Sequence, residues 1–261
     1  MTEDRFDLTR RDFLRGAAGA TLGAATLATA GWAAPADTRA LDAKKSRVVL
    51  VRDPDVLDRD GKVSPEVALR MLDRGVAELA GTSDPLAAWK TLFQPSDTVG
   101  VKSNAWRFLP TPRALEEAIQ QRLVDAGIPA SRIAVDDRGV LGNPVFQNAT
   151  ALVNVRPMRT HHWAGVGSLI KNYIMFSKQP SDWHGDSCAD VAGLWKLPPV
   201  AGRTRLNVLV MLTPLFHSVG PHDFNAKFTW PYRGLLLGTD PVAVDATGLR
   251  ILEAQRRVHF G

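Results

Sequence analysis

With 261 residues, 45% of them apolar and 23% charged, the chain can bury one large core, which excludes wholesale disorder. A net charge of +5 and a pI near 9.6 are mildly basic. The basic residues are spread out and form no stripe, so no nucleic-acid partner is expected. One cysteine, Cys188, excludes an intramolecular disulfide and an iron–sulfur cluster ligated by this chain alone.

In chain order, Arg10-Arg11-Asp12-Phe13-Leu14-Arg15 precede a weakly apolar run from Gly16 to Ala30. Small-residue exits follow at Ala28-Thr29-Ala30 and Ala34-Pro35-Ala36. An arginine pair, a soft core and small residues in that order resemble a twin-arginine signal over residues 1–36. The expected partner is the twin-arginine export machinery, and the expected destination is the periplasm or another exported location. That pathway carries folded proteins, which favours a metal or redox cofactor inserted before export. The soft run falls short of the roughly 20 strongly apolar residues of a permanent span, and no later run is long enough.

The mature chain alternates short apolar runs with amphipathic stretches. Arg47–Val51 reads as a strand, and Ser64-Pro65 opens a helix that Gly81 ends. Asp84-Pro85 opens a short helix, Thr98–Lys102 is a strand, and Thr111-Pro112 starts a helix stopped by Gly127. Strands are predicted at Ile133–Val135, Ala151–Val155, Leu206–Leu212 and Gly234–Leu237, and Asp240-Pro241 caps a final helix. This order predicts a single α/β domain over 44–261, with a mostly parallel central sheet flanked by helices on both faces. The Trp-rich stretch from Phe176 to Arg203 reads as an inserted loop.

Ligands of open α/β sheets bind beyond the carboxyl ends of the strands. Lys102 and Asn104, Asp136 and Asp137, Arg159, His161 and His162, Thr213 and His217, His222 and Asp223, and Thr239 and Asp240 fall there. Solvent-facing strand ends are polar in any case, which is the alternative for each. Five of six histidines lie between positions 161 and 222, which suggests a transition metal held by His161, His162, His217 and His222. His184 and Cys188, spaced i, i+4, would join them from one face of a helix. No spacing matches H-E-x-x-H or paired C-x-x-C. Gly165–Asn172 places small residues before a short helix containing Lys171, a pattern suited to an anion. Close backbone passage at the glycines is the competing explanation. Asp245, one turn into the last helix, either complements the helix dipole or orients a histidine.

Several of these motifs occur together. Val99-Gly100-Val101-Lys102-Ser103-Asn104, Leu152–Val155, Arg159-Thr160-His161, Ile170-Lys171-Asn172, Gly220-Pro221 and Gly238–Ala246 resemble the domain of unknown function 362 family over about Val48 to Leu252. The resemblance implies an α/β domain without a settled activity. Some family members carry an attached ferredoxin-like module, which this chain lacks. The matching polar positions are Lys102, Asn104, His161, Lys171, Asn172, Asp240 and Asp245. Ser103 stands where the family often has proline and Arg159 where it usually has lysine. Relatives usually continue beyond the helix that here ends near Gly261, so the resemblance points to a C-terminally shortened form. The leading expectation is a periplasmic cofactor- or metal-binding enzyme, with redox chemistry among its options. His161, Lys171, Asn172 and Asp245 would be its catalytic residues, and Lys102, Asn104 and Asp240 its ligand-binding ones. The alternative is a non-catalytic binding or assembly protein for a small acidic ligand or an exported redox partner.

Overall fold

Proline placed directly after a capping side chain opens three of the four long helices. Ser64 accepts the Val67 amide at the start of α1 (Pro65–Ala80), and Asp84 accepts Leu86 and Ala87 at the start of α2 (Pro85–Leu92). Proline fits there because its missing N–H would have no intrahelical acceptor. The third expected cap does not form. α3 (Arg113–Asp125) begins after Pro112 with no side-chain cap. Thr111 instead ties down the loop at Asn104, accepting that residue's amide at 3.1 Å and donating its own to the Asn104 carbonyl at 2.8 Å. α4 (Pro241–Phe260) is capped by Asp240, which accepts from Val242 and Ala243. The same device recurs at Asn143-Pro144, where it opens a one-turn helix.

The computed structural model describes residues 46–218 and 223–261, which lie within one compact unit, Lys45–Gly261. The expected signal segment, residues 1–36, and His222 lie outside the described residues. The strands are β1 (Val48–Arg52), β2 (Val99–Lys102), β3 (Ile133–Asp136), β4 (Ala151–His161), β5 (Gly165–Gly167), β6 (Thr204–Leu215) and β7 (Gly234–Gly238). They form one sheet in the order β1-β7-β6-β4-β2-β3, with β5 paired to the end of β4. β1, β2, β3, β4 and β6 run the same way, while β7 and β5 run against them. The protein is therefore α/β with a mostly parallel sheet, as its pattern predicts. An apolar run carries no sign of strand direction, which is why the reversal of β7 is visible only in the fold.

Residues alternate across the sheet as the strand period requires. Val208, Val210, Leu235 and Leu237 face α1, α2 and α3, whereas Leu209, Met211 and Leu236 face Val244 and Leu252 of α4. The rest of that second face is covered by the Trp-rich stretch. Tyr173, Phe176, Leu194 and Val200 pack there on Phe146 and Leu152. This stretch is thus a covering layer of 3-10 turns and not a loop added to the domain. Its backbone takes left-handed φ angles of 41°, 56° and 65° at Asp186, Ser187 and Cys188, so His184 and Cys188 do not share a helix.

β4 and β6 are longer than the apolar pattern suggests. β4 continues through Pro157 with a register shift between Pro157 and Arg159, the kind of irregularity that tolerates proline in a sheet. The extension carries Arg159 and His161 past the end of β2 and forms a wall above the carboxyl edge. No described helix is long and apolar enough to cross a membrane. Asp240 acts as a helix cap and receives a hydrogen bond from Ser46 at 2.6 Å, so Asp240→Ala is expected to cost about 1 kcal/mol in urea unfolding.

Candidate functional site

At the end of β2 the chain buries an ammonium group. Lys102 is fully buried, and its Nζ donates to Asp137 Oδ1 at 2.5 Å, to the Ser103 carbonyl at 2.7 Å and to Asn172 Oδ1 at 3.3 Å. A charge at that depth is tolerable only when paired and hydrogen-bonded. Burial pushes Lys102 down to about 8, against the pull of Asp137. Burial alone would raise Asp137, but Lys102 and the Ala105 amide at 2.8 Å hold it below the usual carboxylate range.

A run of buried amides continues from this pair across the sheet. Asn172 Nδ2 donates to Asn154 Oδ1 at 2.8 Å and to the Lys102 carbonyl at 3.1 Å. Asn154 Nδ2 reaches Asn207 Oδ1 at 3.1 Å and the Leu169 carbonyl at 3.0 Å, and Asn207 donates to the Thr239 carbonyl at 3.2 Å. The expected ligand-binding role of Lys102 and catalytic role of Asn172 therefore give way to a framing one. All three Lys102 hydrogens, and the Asn172 amide, are already engaged inside the protein.

Asp245 is also structural in its contacts. It accepts from Ser168 Oγ at 2.7 Å, the Leu169 amide at 3.0 Å and the Ile170 amide at 2.9 Å. Burial raises its pKa against these three bonds. Asp245 thereby caps, from α4, the one-turn helix Leu169–Asn172 that carries Lys171. It orients that turn and not a histidine.

These elements enclose a cleft of about 150 Å³ at the carboxyl edge, lined by Asn104, Trp106, Asp137, Arg138, Arg156, Arg159, His161, Lys171 and His184 among others. Four cationic side chains face one carboxylate, Asp137, whose charge Lys102 already balances. Arg156 and Arg159 are only 3% and 9% exposed. Neither forms an ion pair with a described residue, and the Nε of each has no hydrogen-bond partner. Their Nη1 atoms reach only backbone carbonyls, of Ser168 at 3.4 Å and Thr160 at 3.3 Å. Arg159 also stacks over Trp106, 4.1 Å from the ring centre. Burial pushes Arg156 down to about 10 and Arg159 to about 9. Gly167 makes room for both: a Cβ there would lie 2.9 Å from Arg156 Nη2 and 3.2 Å from Arg159 Cζ.

Lys171 is buried beside them. Its Nζ lies 2.9 Å from His184 Nε2 and 3.9 Å from Cys188 Sγ. Burial, with Arg156 and Arg159 adding to it, lowers Lys171 to about 8, although Cys188 pulls the other way. The His184 Nδ1 faces the Pro180 carbonyl at 3.0 Å. That assigns its proton to Nδ1 and leaves Nε2 to accept from Lys171. In His161 the order is reversed. Its Nδ1 accepts from the Trp163 and Ala164 amides at 3.3 and 3.2 Å, so the neutral ring carries its proton on Nε2. Burial, followed by the charge of Lys171 and the arginines, depresses His161 to about 3 and keeps it neutral.

Among the described residues, which exclude His222, this geometry does not assemble the expected metal site. A metal-binding histidine normally donates its second nitrogen to an outer partner, yet His161 accepts there. His162 packs edge-on against Trp163, and His217 packs against Phe228 and Phe260. Among the described residues no three His, Cys, Asp or Glu side chains are grouped to hold a metal ion. Asn104 does line the cleft as expected, while Asp240 serves as a helix cap. Arg156, Arg138 and Trp106 enter the site without having been singled out from the sequence. The available signal was Arg156 and Arg159 continuing a buried strand run, Val153–Arg159, where a charge is costly.

No known protein family, curated protein or solved structure matches the chain. The resemblance to the domain of unknown function 362 family stands on its motifs alone. Asp245→Ala is expected to leave the Leu169 and Ile170 amides unpaired. It should cost about 1–3 kcal/mol for each stranded group and speed hydrogen exchange at those two amides before the sheet exchanges.

Proposed function

We propose that this protein binds a small molecule through an oxyanion, carboxylate or phosphate-like, in the cleft at the carboxyl edge of its sheet, after export by the twin-arginine route. The supporting observation is the pair of buried guanidinium groups, Arg156 and Arg159, that have no carboxylate partner among the described residues. A buried unpaired charge costs several kcal/mol, and an anion bridging the two would relieve that cost through charge-assisted, fork-like hydrogen bonds. Lys171 and the Nε2–H of His161 supply further donors on the same cleft. Lys171 also gives the site acid–base capacity, because its pKa of about 8 lies near neutrality, while His184 Nε2, whose basicity burial and the Lys171 charge lower, only accepts its hydrogen bond. This favours capture of a small acidic ligand over the metal-centred reading. The cleft holds the groups for proton transfer, while the described histidines do not assemble a metal site.

Arg156→Met tests the reading in two directions. In anion-free buffer it is expected to raise unfolding stability by about 1–4 kcal/mol, since a buried guanidinium with no ion-pair contact, drawn only at longer range to Asp137 and Asp245, leaves the interior. Sulfate at a hundredfold over its Kd should stabilise the wild type by about 2.7 kcal/mol and the variant hardly at all. A variant that is destabilised like an ordinary core mutant, and still gains from sulfate, would remove the basis of the proposal.

The pH dependence has a definite sign. Lys171 is charged below its pKa of about 8 and loses that charge above it, while sulfate keeps its own. Sulfate affinity measured by calorimetry is therefore expected to fall as pH rises through 8, and Lys171→Met is expected to move the onset of that fall upward, toward the value of about 9 of Arg159.

A further inference from the structure

A second cavity, of about 280 Å³, lies beside the anion cleft. Its walls are largely apolar: Val166, Ile170, Val191, Val242 and Leu249 line it, and Val242 is 61% exposed. Lys171 is the one residue that lines both cavities. Its Nζ contacts His184 of the polar cleft and Cys188 of the apolar cavity. Lys171 is thus a common wall of the cation-rich cleft and the apolar recess, with its ammonium between the two.

We infer that the ligand is an amphiphilic acid. Its oxyanion head sits on Arg156, Arg159 and Lys171, and an unbranched alkyl or acyl arm passes Lys171 into the recess. This rests on the anion reading and adds the ligand class to it. Charge complementarity fixes the head and the common Lys171 wall fixes where the arm leaves. On the recess wall, Ser168 and Asp245 are already hydrogen-bonded to each other, and Asp245 also to backbone amides, and the surface left open is mostly apolar, so an apolar arm is its fitting occupant.

The test uses the full chain and a series of straight-chain carboxylates, butanoate, hexanoate and octanoate, titrated by calorimetry beside sulfate. Each methylene buried in the recess is expected to tighten Kd about fourfold. Leu249→Trp, which fills the recess, is expected to bring octanoate back to the affinity of butanoate. The series on the wild type carries the test even if that variant does not fold. Carboxylates and sulfate that bind with no dependence on chain length would overturn the inference and leave the anion reading standing. Failure of every anion, sulfate included, would overturn both. A dimer, detected by light scattering, that octanoate does not disrupt and that Leu249→Trp abolishes would mean that a second copy of the chain covers the recess, and would also overturn it.

Discussion

The cleft depends on one buried ion pair. Lys102 and Asp137 close the ends of neighbouring parallel strands β2 and β3, and their contact at 2.5 Å anchors the run of buried amides behind the cleft. Lys102 takes Asn172 as its third acceptor, and Asn172 then fixes Asn154 across β4 and through it Asn207 of β6. Such a network is favourable only when every member is satisfied. Its satisfaction holds the turn bearing Lys171 at a set height above the sheet. Asp245 holds the same turn from the opposite side.

Against this saturated floor, the cleft above carries more positive than negative charge. Arg156 and Arg159 are three residues apart, which in a regular strand would send them to opposite faces. The register shift near Pro157 and the bare backbone of Gly167 let both guanidinium groups converge. A second unfavourable feature lies on the far wall. Three consecutive non-glycine residues, Asp186 to Cys188, are left-handed, at a cost on the order of 1–2 kcal/mol each. That turn delivers Cys188 to Lys171. Buried guanidinium groups without ion-pair contacts and backbone strain thus meet at one place.

Much of the architecture was legible before the fold. Apolar runs, cap-then-proline pairs and glycine stops predict the strands and helices because each rests on local chemistry. The reversal of β7 and the layer made by residues 173–200 were hidden, since direction and packing partner are not local properties. Of the residues that line the cleft, His161 was legible from its strand end and Lys171 from the small residues before its one-turn helix. Arg156 was missed because Pro157 and two charges make the latter half of β4 look like the end of a strand. Asn172 and Asp245 are polar for a reason the sequence does not separate from catalysis: both complete hydrogen bonds inside the frame. The histidine cluster was only partly a cluster in space: His161 and His184 stack beside the cleft, while His217 sits in an aromatic nest with Phe228 and Phe260.

The central claim is that the paired guanidinium groups await an anion, and the most direct measurement is a diffraction experiment on crystals grown with selenate. The anomalous signal of selenium locates the ion without ambiguity. The account predicts a peak within hydrogen-bonding distance of Arg156, Arg159 and Lys171. An empty cleft at saturating selenate, with both guanidinium groups still unpaired, would contradict it.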